Sequence, residues 1–124
     1  MSATPLVILN GTVAAQNDVQ AAKTVDLGVQ RALERARKVI LQIRAANKVG
    51  APDFTLTGLS ISYDGTNYRQ AASLSLAVTA NGELAAPEIT LPLIGVAKVK
   101  LDCTVANLDV DNKIDLLATL IAVG

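Results

Sequence analysis

From residue 53 onward the apolar side chains recur at every second position, and that period admits little besides β-strand. Val99, Leu101, Cys103 and Val105 alternate with Lys98, Lys100, Asp102 and Thr104, and Leu74, Leu76 and Val78 alternate with Ser73, Ser75, Ala77 and Thr79. Phe54 and Leu56 share one parity whereas Leu59, Ile61 and Tyr63 share the other. A β-bulge at Thr57-Gly58 would bring all of them to one face. Asp64-Gly65, Asn81-Gly82 and Asp111-Asn112-Lys113 supply turns, and Asn81-Gly82 is the strongest hairpin signal. Pro87 and Pro92 place their segment at a sheet edge or break it. The closing run, residues 114–123, is apolar on both parities and predicts a strand covered on both faces.

The N-terminal half reads differently. PLVILN, residues 5–10, predicts a short strand ending at the Asn10-Gly11 turn, joining its own sheet or a neighbour's. Residues 17–47 contain no proline and fall into sevens, with Ala22, Val29, Ala36 and Ile43 at a and Val25, Ala32, Val39 and Ala46 at d. Leu33 and Ile40 widen that seam. The expectation is one domain over residues 1–124 of the α+β class: strand 5–10, a long amphipathic helix over 17–47, and an antiparallel β-meander over 53–124. The helix would pack on the antiparallel sheet or small β-sandwich. Its core would comprise Val25, Val29, Leu33, Val39, Ile40, Ile43, Leu74, Leu76, Val78, Val99, Leu101, Cys103, Leu116 and Leu120. With this order of elements, ITLPLIGVAKVKLDCTVANLDVD, residues 89–111, resembles an uncharacterised bacterial family with an amphipathic helical N-terminus and a β-sandwich C-terminal half. The resemblance implies that architecture and brings no activity, cofactor or site residue.

Several chemistries are excluded or weakened. No histidine is present, so Ser-His-Asp and Cys-His arrangements are impossible. Cys103, the one cysteine, sits at an inward position of its strand and reads as packing. Asp109, Asp111 and Asp115 suggest a calcium loop, but Lys113, Ile114 and Leu120 occupy the places of a ligand, the turn glycine and the closing glutamate. A solvated hairpin suits those aspartates better. The glycines form no phosphate loop. Asn10-Gly11-Thr12 matches a glycosylation acceptor, which has meaning only in a secreted protein. The first residues lack the basic and apolar regions of a signal peptide, so a cytoplasmic location, or one within an intracellularly assembled particle, is expected. Catalytic residues, metal and cofactors are all expected to be none.

Half the residues are apolar, 51%, and only 18% are charged, yet no apolar run approaches the ~20 residues of a membrane span. Subunit contact is the simplest cover for such a chain. Residues 17–48 carry a net charge of +4 and the remainder −4, so the molecule reads as two-ended. A 30-residue helix, ~45 Å long, would also overhang a domain whose radius of gyration is only ~14 Å. These features predict a non-enzymatic structural subunit assembling head to tail with itself into a filament, tube or shell. The apolar contacts would be Leu6, Val7, Ile8, Leu27, Leu41, Leu117, Ile121 and Val123. Arg31, Arg37, Lys38 and Arg44 of the basic helix would face Asp102, Asp109 and Asp111 of the next copy. The alternatives are a nucleic-acid-binding or coat-type protein using the basic helix face, and a small apolar-ligand module. The scarcity of aromatics, Phe54, Tyr63 and Tyr68, weighs against base stacking.

Overall fold

A computed structural model describes residues 6–21, 23–24, 38–84, 88–91 and 93–122. The chain is mainly β: strand takes up 70% of the described residues and helix about 4%. The strands are β1 (Leu6–Val13), β2 (Lys23–Thr24), β3 (Lys38–Val49), β4 (Asp53–Ser62), β5 (Arg69–Val78), β6 (Gly82–Leu84), β7 (Glu88–Thr90), β8 (Lys98–Asn107) and β9 (Lys113–Ala122). The described helix is a single turn, α1 (Gln16–Val19). No helix among the described residues is long and apolar enough to cross a membrane.

The expected α+β class and the long helix over 17–47 are therefore overturned. Residues 38–47 belong to β3, and residues 25–37, with Val25, Val29 and Leu33, lie outside the described residues. Alternation explains the difference. Val39, Leu41, Ile43 and Ala45 are buried at every second position, a pattern that coexists in the same ten residues with the seven-residue reading. Antiparallel partners on both sides of β3, β9 on one and β6 and β7 on the other, then decide for strand.

All pairings are antiparallel, and they nest. β1 pairs with β9, β2 with β8, β3 with β6 and β7, and β4 with β5. Lateral pairings of β9 with β3 and of β8 with β4 complete two sheets, β1-β9-β3-β6/β7 and β2-β8-β4-β5. With β6 and β7 counted as one interrupted strand, this is the order of a double-sheet jelly roll. Phe54, Leu56, Leu59, Ile61, Val99 and Leu101 of one sheet share a single core with Val39, Leu41, Ile43, Ile114, Leu116 and Leu120 of the other.

The bulge lies where the parity change places it. Against β8 the extra residue is Thr57 of β4, and Phe54, Leu56, Leu59 and Ile61 on either side of it are all buried, whereas Tyr63, beyond the end of β4, is 54% exposed; against β5 the extra residue belongs to β5, at Leu74-Ser75. A Cβ on Gly58 would stand 2.5 Å from the Ala72 carbonyl oxygen, so only glycine fits. β6 and β7 lie at the edge of β3, where the proline-bearing segment is expected, and Pro87 and Pro92 themselves lie outside the described residues. Other expectations fail. β1 runs through Asn10-Gly11 to Val13. Asn81-Gly82 leads from β5 to β6 in the opposite sheet, so it forms a corner and not a hairpin; Asn81 Oδ1 accepts the Lys48 amide at 2.9 Å. The 108–112 loop likewise crosses from β8 to β9 in the other sheet. Of the expected core, Ile40 lies half-buried on the outer face, and Leu74 and Leu76 are half-buried at the β5 edge.

Candidate assembly interface

Five of the residues expected at the subunit contact meet on the outer face of the β1-β9-β3-β6/β7 sheet. Along β9 the inward side chains are Ile114, Leu116, Ala118 and Leu120, which turns Asp115, Leu117, Thr119 and Ile121 outward. On β3 the outward set is Lys38, Ile40, Gln42, Arg44 and Ala46. Register then fixes the neighbours: Asn10, Leu117, Arg44 and Glu83 form one cross-strand row, and Ile121 stands beside Ile40. Val7, opposite Thr119, lies diagonally between Leu117 and Ile121. Val7 is 37% exposed and Leu117 36%, while Ile40 and Ile121 are half-buried beside them.

The rim of this patch carries both signs of charge. Arg44 forms an ion pair with Glu83 of β6, and Lys38 Nζ lies 3.3 Å from Glu88 Oε1 of β7. Positive charge that is segregated along the sequence is thus countered on the described face by antiparallel pairing within the chain. Asp115 closes the other side. Its Oδ1 accepts from Thr12 Oγ1 at 2.6 Å and its Oδ2 from Asn47 Nδ2 at 2.8 Å, and these bonds hold its carboxyl below the usual range. Asn47 reaches it from a left-handed backbone conformation, φ 56°, within the irregular stretch of β3 between Ala46 and Val49. An open hollow of about 260 Å³ lies among Asn10, Thr12, Arg44, Ala46, Asp115 and Leu117. Its walls carry a carboxylate and a guanidinium beside Ala46 and Leu117.

The remaining expected contact residues separate. Leu6 and Ile8, 2% and 4% exposed, are core residues of β1, and Leu41 is fully buried, because the strand period turns it inward where the helical period had placed it among cations. Leu27, Arg31, Arg37 and Val123 lie outside the described residues. Asp102 faces outward from the other sheet and accepts from Ser60 Oγ at 2.5 Å. Asp109 and Asp111 belong to the 108–112 loop, where Asp109 Oδ1 accepts from the Asn112 side chain and the Asp111 amide. The basic helix docking on these aspartates is therefore corrected: Lys38 and Arg44 are strand residues with carboxylate partners of their own. Sequence reasoning missed Ile40, Gln42, Thr119, Glu83 and Glu88 as neighbours on this face. A period of two read across residues 38–46 would have found the first two.

Burial pushes the Cys103 thiol up, with Asp102 adding to the effect, so the thiolate is disfavoured. Among the described residues no group of three histidine, cysteine or carboxylate side chains could hold a metal ion. Asp64 organises the β4–β5 turn. It accepts from Ser62 Oγ and from the Thr66 and Asn67 amides through Oδ1, and from the Asn67 side chain through Oδ2, at 2.7–2.9 Å. No family model, curated protein or solved structure matches this chain.

Proposed function

We propose that this protein is a non-enzymatic structural subunit that associates with copies of itself, with the outer face of the β1-β9-β3-β6/β7 sheet as one contact. The observation that carries the reading is the outward set Val7, Leu117, Ile40 and Ile121, two of them just over a third exposed, interleaved with Thr119 and Gln42 and bordered on β3, β6 and β7 by Lys38, Arg44, Glu83 and Glu88. Apolar side chains interleaved with the neutral polar Thr119 and Gln42, with both charge signs beside them, make a surface complementary to another of its kind. The jelly-roll connectivity serves many functions and assigns none by itself. Nucleic-acid binding through Lys38 and Arg44 is the weaker reading, because each already has a carboxylate beside it.

Mass measurement across a dilution series tests this. The wild type should exceed one chain at high concentration, and Val7→Glu with Leu117→Glu should lower the mass while leaving the fold intact. A wild type of one chain's mass at every concentration would overturn the reading, as would a double variant that assembles unchanged. Nucleic acid retained through purification, seen as excess absorbance at 260 nm, would replace it with the nucleic-acid reading.

A further inference from the structure

The three most exposed large apolar side chains among the described residues lie off the outer face, at the two ends of the β4–β8 pair. Val110 is 75% exposed, Ile94 68% and Tyr63 54%. Register separates them. β4 and β8 run antiparallel, with Ser62 opposite Lys98 at one end and Asp53 opposite Asn107 at the other. The 10 residues of β8 hold those ends ~30 Å apart at ~3.4 Å per residue. Tyr63 follows directly on the first end, and the 108–112 loop, with Val110, on the second. Ile94 belongs with Tyr63: the Ala97 amide donates to the Ser62 carbonyl at 2.8 Å, and a Cβ on Gly95 would stand 4.0 Å from the Tyr63 ring.

The two ends differ in charge. At the first, Arg69 Nη2 donates to Tyr63 Oη at 3.2 Å with its guanidinium carbon 5.7 Å from the ring centroid, and Lys100 Nζ lies 4.7 Å from the centroid of Tyr68. Lys98 joins them opposite Ser62. Among the described residues none of these three cations forms an ion pair. Asp64, the carboxylate of this end, is turned into its own loop by Ser62, Thr66 and Asn67. At the second end the exposed Val110 stands between the exposed Asp109 and Asp111, with Asp53 at the base of the loop. Asp109 accepts within the loop, whereas the Asp111 carboxylate takes no part in the loop's hydrogen bonds. Lys48 and Lys113 lie behind this tip, on β3 and β9, and Lys113 favours the charged form of Asp115.

We infer that copies of this chain stack end to end, the basic end with Tyr63 and Ile94 receiving the Asp109-Val110-Asp111 tip of the next copy. Complementary surfaces at opposite ends of the same strands cannot meet within one chain, so they meet between chains. Val110 packs against Tyr63 and Ile94, and Arg69 and Lys98 face the two aspartates. The apolar contact supplies affinity and the charges set orientation and encounter rate. The contact is heterologous, so it grows into open chains or closes as a ring. Cations beside tyrosines also suit a nucleic-acid strand, but that occupant leaves the exposed valine between two carboxylates unused. The inference rests on the self-association proposed above and uses a surface separate from the outer face.

Complementation between two defective ends reads a head-to-tail contact directly. In a Val7→Glu/Leu117→Glu background, which removes the outer-face contact, Val110→Ser with Asp111→Ser takes away the acidic end and Ile94→Ser with Arg69→Ser the basic end. All four of these positions are exposed, so far-ultraviolet circular dichroism should be unchanged. The background should exceed two chains in mass at high concentration. Each end variant alone should sediment as one chain, and their equimolar mixture, which restores one intact contact, as two chains and no more. A wild type above one chain's mass with a background of one chain's mass would overturn the end contact and leave the outer-face contact standing. So would a mixture that stays at one chain's mass, or an end variant that associates as the background does. Nucleic acid retained by wild type and lost with Ile94→Ser/Arg69→Ser would assign the basic end to nucleic acid and overturn the docking. A wild type of one chain's mass at every concentration would overturn both contacts.

Discussion

Leu41 separates the strand from the helix more sharply than any other residue. In the seven-residue reading it lies among cations on the solvent side, and its truncation would cost little. In the structure it is fully buried at the middle of β3, opposite Leu120 of β9. Leu41→Ala removes three carbons from a packed site, a transfer loss of about 2.4 kcal/mol at ~0.8 kcal/mol per buried carbon. The cavity left behind raises the cost to about 3 kcal/mol, within the ~2 to 5 kcal/mol typical of such changes. For 124 residues the unfolding entropy is about 0.26 kcal/mol/K. One kcal/mol is then worth about 4 °C, and Leu41→Ala should melt about 12 °C below wild type. Gln42→Ala, one position along and exposed, should stay within about 2 °C. Far-ultraviolet circular dichroism on heating, at one protein concentration because association shifts the midpoint, measures both. A Leu41→Ala melt within about 2 °C of wild type, or a larger loss for Gln42→Ala, would refute the inward placement of Leu41.

Three further outcomes are expected. Gly50→Ala should destabilise by at least about 1 kcal/mol in urea unfolding, since Gly50 has φ +69° and its Cβ would stand 2.2 Å from the Asp111 carbonyl oxygen; an unchanged midpoint would contradict this. Gln16→Ala with Gln20→Ala should strip the Cys103 amide of its acceptor, hasten its hydrogen exchange and cost about 1 to 2 kcal/mol. Asp64 has a carboxyl held far below the usual range by the Asn67 and Thr66 amides first and then by side chains, so its contribution to stability is present above the ordinary carboxylate pKa and is lost as pH falls through its lowered folded value. Asp64→Asn should flatten the acid limb of stability against pH; a limb of unchanged slope would show that the turn carboxylate does not matter to folding.

The sequence alone determined what local periodicity can determine. Alternation after residue 53 specified strands, and the parity change at Thr57-Gly58 located a bulge, because side-chain direction acts within a few residues. The absence of histidine settled which catalytic constellations are impossible. Tertiary structure decided the rest. Lys38 to Ala46 satisfies a period of seven and a period of two at once, and only hydrogen-bonded partners more than thirty residues away in sequence, Glu83 to Thr90 and Leu116 to Ala122, select the second. A turn residue states that the chain bends but not which sheet receives it, so Asn81-Gly82 and the 108–112 loop became crossings between layers. The charge imbalance along the sequence met the same fate. Arg44 finds Glu83, and Lys38 finds Glu88, because antiparallel register brings distant positions together, and no count along the chain contains that register.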